Sequence, residues 1–157
     1  MRKNGFFPFI HRMKYITRWG LMRNTSYEKL KEHSFEVAVI AHGLAIIGNR
    51  YYGKNYNCDR IAMGAMFHDA NEAITGDMPT PVKYGNPAIM KAYKELEAQA
   101  VQQILCMLPE ELEKEYVHYF YISDEDERII VKAADKISAY IKCIEEARAG
   151  NDDFRTA

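Results

Sequence analysis

The chain has 157 residues, 48% of them hydrophobic and 27% charged, with a formal net charge of −1. That length carries a sizeable core, and the near-zero charge excludes a broad binder of nucleic-acid polymers, which needs a clustered basic surface. No apolar run approaches the roughly 18 residues of a membrane span, so the composition leaves a globular protein whose anionic ligand, if any, is small enough for one or two arginines.

The N-terminal stretch MRKNGFFPFIHRMK sets a short apolar patch among basic residues. It is too short for a signal-peptide core, and Pro8, His11 and Arg12 interrupt it. MKYITRWGLM, residues 13–22, reads as a helix, and RNTSYEKLKEH turns around Asn24. SFEVAVIAHGLAIIGNRYYG has a helical stripe at Val37, Ile40, Ala41, Leu44 and Ile47, with Gly53 placed to stop it. CDRIAMGAMFHDANEAITG, residues 58–76, is apolar on most sides and belongs at the centre, with Asn57 or Asp59 as start signal and Gly76 as stop. Asn86 caps the next helix, Pro87 opens it, and Met90, Tyr93, Leu96, Val101, Ile104 and Leu108 form its stripe. PEELEKEYVHYF is a shorter, more polar helix. The last starts at Ser123 with acids in its first turn, carries Ile130, Ala134, Ile137, Ile141 and Ile144, and ends at Gly150. Strand signals are poor throughout. The prediction is an all-α fold: a single compact bundle of about six helices in one domain, 1–157.

Cys58, Cys106 and Cys143 are far apart, without metal-type spacing. Their apolar contexts predict reduced, buried thiols in a cytoplasmic protein.

The stretch AMFHDANEAITGDMPTPVKYG, residues 65–85, crowds His68, Asp69, Glu72 and Asp77 into a segment that otherwise reads as buried. Buried ionisable groups are costly unless paired or bound to a metal. His68 and Asp69 point about 100° apart on a helix, yet both can reach one ion beside it, and Glu72 lies at i+4 from His68. His33 opens the first long helix, and Asp135 sits on the border of the last helix's stripe. Two imidazoles and two carboxylates from three helices suit a divalent cation of borderline hardness, with positions left open for water and substrate. The alternative for His68 is a hydrogen-bonded core histidine, and for Asp135 a solvated edge residue or a partner for a nearby lysine.

The order H…HD…D across an all-α chain resembles the HD-domain metal phosphohydrolases. ITRWGLM, EHSFEVA, FHDANEAITGDMPTPVKY and AADKISAYIKCIEEARAGN resemble, more narrowly, the bacterial HD-domain 5′-deoxynucleotidases of the YfbR family, over most of the chain. The resemblance implies that His33, His68, Asp69 and Asp135 bind a divalent metal such as Co²⁺ or Mn²⁺. It implies that Arg18, Trp19, Asp69, Asp77, Met78, Pro79 and Thr80 contact a deoxyribonucleoside 5′-monophosphate, and that Arg18, Glu72 and Asp77 take part in the chemistry. It also implies a homodimer, and family members continue some tens of residues beyond GNDDFRTA.

Those assignments have a physical logic. Arg18 offers a fork of donors to phosphate oxygens. Glu72 orients or deprotonates the attacking water and Asp77 protonates the leaving 5′ oxygen, or the two are reversed. Trp19 sets a bulky ring where a 2′-hydroxyl would fall. Pro79 and Pro81 stiffen a loop beside Glu72, in which Thr80 offers a hydrogen bond and Lys83 reads as solvated. His42 and His118 have no matching role: His42 lies half a turn from His33 and reads as structural, His118 as packed or capping, while His11 falls in an N-terminal stretch that reads as mobile. Two other readings stay open: an HD phosphohydrolase acting on another small nucleotide, and a non-catalytic nucleotide- or metal-binding regulator.

Overall fold

The computed structural model describes residues 5–156, so the basic residues Arg2 and Lys3 of the N-terminal patch lie outside the described residues. The described residues form eight α-helices and no strand. They are α1 (Phe6–Ile10), α2 (Leu30–Tyr51), α3 (Cys58–Phe67), α4 (Glu72–Thr75), α5 (Thr80–Tyr84), α6 (Pro87–Leu105), α7 (Glu110–Phe120) and α8 (Glu125–Arg148), with 3₁₀ turns at His11–Tyr15 and Asp152–Thr156. The all-α bundle is as predicted. None of these helices is long and apolar enough to cross a membrane.

The core is a three-helix contact. Val37, Ala38, Ala41 and Ala45 of α2 meet Ile61 and Ala65 of α3 and Ile130, Val131 and Ala134 of α8. Alanines along this seam let the helix axes approach, because interaxial distance follows side-chain size at the contact. A second cluster joins Phe6 to Ile104, Met107 and Leu108, with Phe67 and Phe120 packed against it. The caps follow the sequence at Asn57, which accepts from Arg60 N, and at Asn86, which accepts from Ala88 N. On α8 the cap is Asp124 rather than Ser123.

Four departures from the predicted elements shape the site. Residues 13–22 are not one helix: a 3₁₀ turn ends at Tyr15, Ile16 is extended, Thr17 bridges antiparallel to Lys29, and Trp19 adopts φ 60°. Tertiary pairing with 28–30 overrides local propensity here. The predicted 58–76 helix breaks between α3 and α4. Bonds from Ala70 N to Phe67 O, Glu72 N to Asp69 O and Ala73 N to Ala70 O mark a tighter three-residue winding, so Glu72 shares a side with Asp69 rather than with His68. The Pro-rich loop contains the short α5, and the Gly76 that precedes it takes φ 75°. On α8 the buried face beyond Ala134 is polar, made of Ser138, Lys142 and Glu146, while Ile137 is exposed.

Ile47 and Leu96 face solvent. None of the three free cysteines is buried, and Cys106 is exposed. His118 is exposed, its ring tilted against that of Tyr119.

The polar row on α8 organises a loop. Glu146 accepts hydrogen bonds from Thr25 N, Thr25 Oγ1, Ser26 N, Lys142 Nζ and Asn151 Nδ2. Asn151 Nδ2 also donates to Arg23 O at 2.7 Å. A buried carboxylate is tolerable only with such partners, and these tie residues 23–26, just beyond Trp19, to the end of α8.

Candidate active site

Three elements bring the predicted metal ligands together. His33, fully buried on α2, places Nε2 3.1 Å from Asp135 Oδ1 on α8 and 3.7 Å from Asp69 Oδ2. His68, where α3 ends, places Nε2 3.0 Å from Asp69 Oδ2 and 4.0 Å from Asp135 Oδ1. Ligand atoms of His33, His68 and Asp135 all lie within 4.8 Å of one another.

The backs of both imidazoles decide what their fronts present. His68 Nδ1 donates to Ala65 O at 2.7 Å. His33 Nδ1 lies 3.1 Å from Ser138 Oγ, which donates to Glu36 Oε2 at 2.6 Å. A hydroxyl has one hydrogen, so Ser138 accepts from His33 Nδ1–H. Each ring therefore turns an Nε2 lone pair inward. Both Nε2 atoms are buried without a hydrogen-bond partner among the described residues, despite the nearby carboxylates. Lone pairs aimed at carboxylate oxygens repel unless positive charge lies between them. The donor set thus fits a divalent cation, and the bonds behind the rings are of the kind that orient histidine ligands.

The electrostatics have the same origin. Burial opposes ionisation of Asp69, yet His68, Arg18 and His33 hold its carboxyl well below the usual carboxylate range. Asp135 is likewise lowered, against burial, by His33 and His68. Burial opposes charge on His68, while Asp69 and Asp135 favour it and its pKa rises. Burial, Asp69 and Asp77 together push Glu72 up to about 9. Burial raises Asp77 as well.

Beside the cluster opens a cleft of about 740 Å³. Arg18, Trp19, Asp77, Met78, Pro79 and Thr80 line it, and Asp135 and Lys136 border it. Asp69 stands behind this wall, 3.4 Å from Arg18 Nη1. Glu72 is buried. Lys83 is not simply solvated: its Nζ meets Glu97 Oε1 at 2.6 Å and lies over the Tyr93 ring. The Tyr93 hydroxyl also lies 3.2 Å from Thr75 Oγ1 and 3.3 Å from Gly76 O, which pins the turn carrying Asp77. His42 stands apart, 3.7 Å from Asp59.

Sequence reasoning missed Glu28, Glu36, Ser138 and Lys136. Ser138 is three residues past Asp135 on the same helix, and asking what holds the back of His33 would have found it. Glu28 carries no such signal, because its role depends on the antiparallel pairing of 17 with 29.

The family model described as 5′-deoxynucleotidase YfbR-like matches residues 5–157. The chain belongs to this family. It is 51% identical to a 5′-deoxynucleotidase of Vibrio vulnificus strain YJ016, spanning all of this chain and 82% of that protein. It is 50% identical to one of Pectobacterium atrosepticum, spanning all of this chain and 80% of that protein. The fold matches an HD-domain phosphohydrolase of Listeria innocua with TM-score 0.83 at 23% identity, over 95% of this chain and 72% of that one. It also matches the HD phosphohydrolase DatZ of cyanophage S-2L, solved with dA and one catalytic Zn²⁺ ion, with TM-score 0.64 at 23% identity over 87% of this chain and 69% of that one. Membership makes the chain a phosphoric monoester hydrolase.

Proposed function

We propose that the chain is a metal-dependent 5′-deoxynucleotidase, converting deoxyribonucleoside 5′-monophosphates to deoxyribonucleoside and phosphate, with residues 1–157 forming one HD domain. One observation carries the reading: two inward Nε2 lone pairs and two carboxylates converge beside an arginine on a cleft of nucleotide size.

His33, His68, Asp69 and Asp135 hold the cation, of the Co²⁺ or Mn²⁺ kind. A divalent charge there offsets the repulsion between a phosphate dianion and an attacking hydroxide, and lowers the pKa of water. Arg18 is buried among acids that keep its charge and raise its pKa against desolvation. Its guanidinium holds phosphoryl oxygens and adds the positioning on which phosphoryl transfer depends. Asp77, on the cleft wall with a raised pKa, gives a proton to the leaving 5′ oxygen. Glu72, behind Asp69, takes a proton from the attacking water once positive charge offsets the Asp69 carboxylate that helps to raise its pKa. Trp19, with Met78, Pro79 and Thr80 beside it on the cleft, occupies the space of a 2′-hydroxyl and selects deoxyribose. An exposed apolar row on α2, Phe35, Val39 and Ile46, suits a homodimer contact, and the enzyme is assigned to the cytoplasm.

The test is phosphate release from a panel of deoxyribo- and ribonucleoside mono- and triphosphates with Mg²⁺, Mn²⁺ and Co²⁺. Release from deoxyribonucleoside monophosphates above all others supports the reading. Preference for a triphosphate, or no release with any metal, contradicts it.

A further inference from the structure

We infer that Glu28 is a positioning residue that sets the phosphate-holding arginine and the sugar-selecting tryptophan as one unit; this rests on the activity proposed above. A single oxygen, Glu28 Oε2, accepts from Arg18 Nε at 3.0 Å and from Trp19 Nε1 at 2.9 Å. The backbone reinforces the pairing, since Arg18 N donates to Glu28 O at 3.0 Å. The Glu28 side chain is only 12% exposed, so neither bond is a solvated surface contact.

Both partners need such a holder. Trp19 has φ 60°, a backbone conformation that a bulky L residue avoids unless its surroundings impose it. Its ring rests on Phe154, and its carbonyl accepts from Asn24, but Glu28 alone fixes the indole N–H among the described hydrogen bonds. Arg18 stands between two acids, Glu28 and Asp69. With Nε engaged by Glu28 and Nη1 3.4 Å from Asp69 Oδ2, the guanidinium is braced on two sides where it lines the cleft. Without Glu28, Asp69 is the nearest carboxylate left, and a bond to it competes with both phosphate and cation. The other oxygen, Oε1, lies 3.9 Å from His33 Nδ1, which is already engaged with Ser138. The arrangement couples catalysis to selectivity: the loss of one carboxylate weakens phosphate binding and frees the ring that excludes ribose.

Glu28→Gln and Glu28→Ala in the full chain with Mn²⁺ test this, with kcat and KM for dAMP and AMP and the fluorescence of Trp19, the sole tryptophan. In Glu28→Gln, which is isosteric, KM for dAMP rises, the dAMP-to-AMP ratio of kcat/KM falls about tenfold or more, as for a lost charge-assisted bond, and the Trp19 emission shifts. Circular dichroism checks the fold, and Glu28→Gln decides should Glu28→Ala not fold. Either the ratio or the emission staying at its wild-type value in folded Glu28→Gln overturns the inference. If the wild type hydrolyses neither nucleotide, the proposed activity fails by itself. Glu28 is then judged on the emission alone, where a shift supports its hold on Trp19 and no shift overturns it.

Discussion

His33 Nδ1 and Ser138 Oγ lie 3.1 Å apart across 105 residues of sequence, and that bond determines which nitrogen His33 turns toward Asp69 and Asp135. Glu36 takes the Ser138 hydrogen, so the imidazole must donate and Nε2 must keep its lone pair. Ser138→Ala removes the acceptor without touching a ligand. The expected outcome is a loss of Mn²⁺ or Co²⁺ affinity of about 10–100-fold, the usual range for a supporting partner behind a histidine ligand. Calorimetric titration of the chelator-stripped protein measures it, and an unchanged affinity would rule out the role given to Ser138.

Asp77 and Glu72 are separable by leaving group. A substrate whose bridging 5′ oxygen is replaced by sulfur expels a thiolate, with a pKa near 8.5, and needs no proton donor. Asp77→Asn should lose about 10²–10⁴-fold on the oxygen ester and recover most of that on the sulfur analogue. Glu72→Gln should be slow on both. If Glu72→Gln is the variant rescued, the two roles are exchanged.

The Glu146 network predicts a defined acid limb of stability. Burial works against its charge, yet Lys142, Asn151 and Thr25 hold the carboxyl well below the usual carboxylate range. A depressed folded pKa contributes stability that is full above the unfolded value, near 4.3, and is lost as pH falls below it. The wild-type Tm should therefore drop from about pH 5 downward more steeply than that of Glu146→Gln, whose amide does not titrate. At pH 7, Glu146→Ala strands a buried Lys142 and should cost about 3–5 kcal/mol. Parallel Tm curves for wild type and Glu146→Gln between pH 3 and 6 would contradict the assignment.

Much of this was legible in the sequence, and what was not has physical causes. The long helices declare themselves because amphipathic periodicity and caps such as Asn57 and Asn86 are local signals. His33, His68, Asp69 and Asp135 stand out because ionisable groups on apolar helices demand an explanation. The 13–22 segment was misread because Ile16 and Arg18 bond to Leu30 and Glu28, partners no local pattern announces. The break at His68 was hidden because His68 and Asn71 keep helical backbone angles while the bonding shortens by one residue. On α8, the isoleucine stripe drifts after Ala134 to the exposed Ile137, off the row that Ser138, Lys142 and Glu146 bury, since a satisfied polar row has no hydropathy signature.

On the function proposed above, one divalent cation held by His33, His68, Asp69 and Asp135 makes the chain a deoxynucleotide phosphatase. The most direct measurement is phosphate release from dAMP by chelator-stripped protein as Mn²⁺ or Co²⁺ is titrated back, beside Asp135→Ala. The expected outcome is no release from stripped protein, recovery that saturates at one ion per chain, and no recovery in Asp135→Ala. Release from the stripped protein, or full recovery in Asp135→Ala, would contradict it.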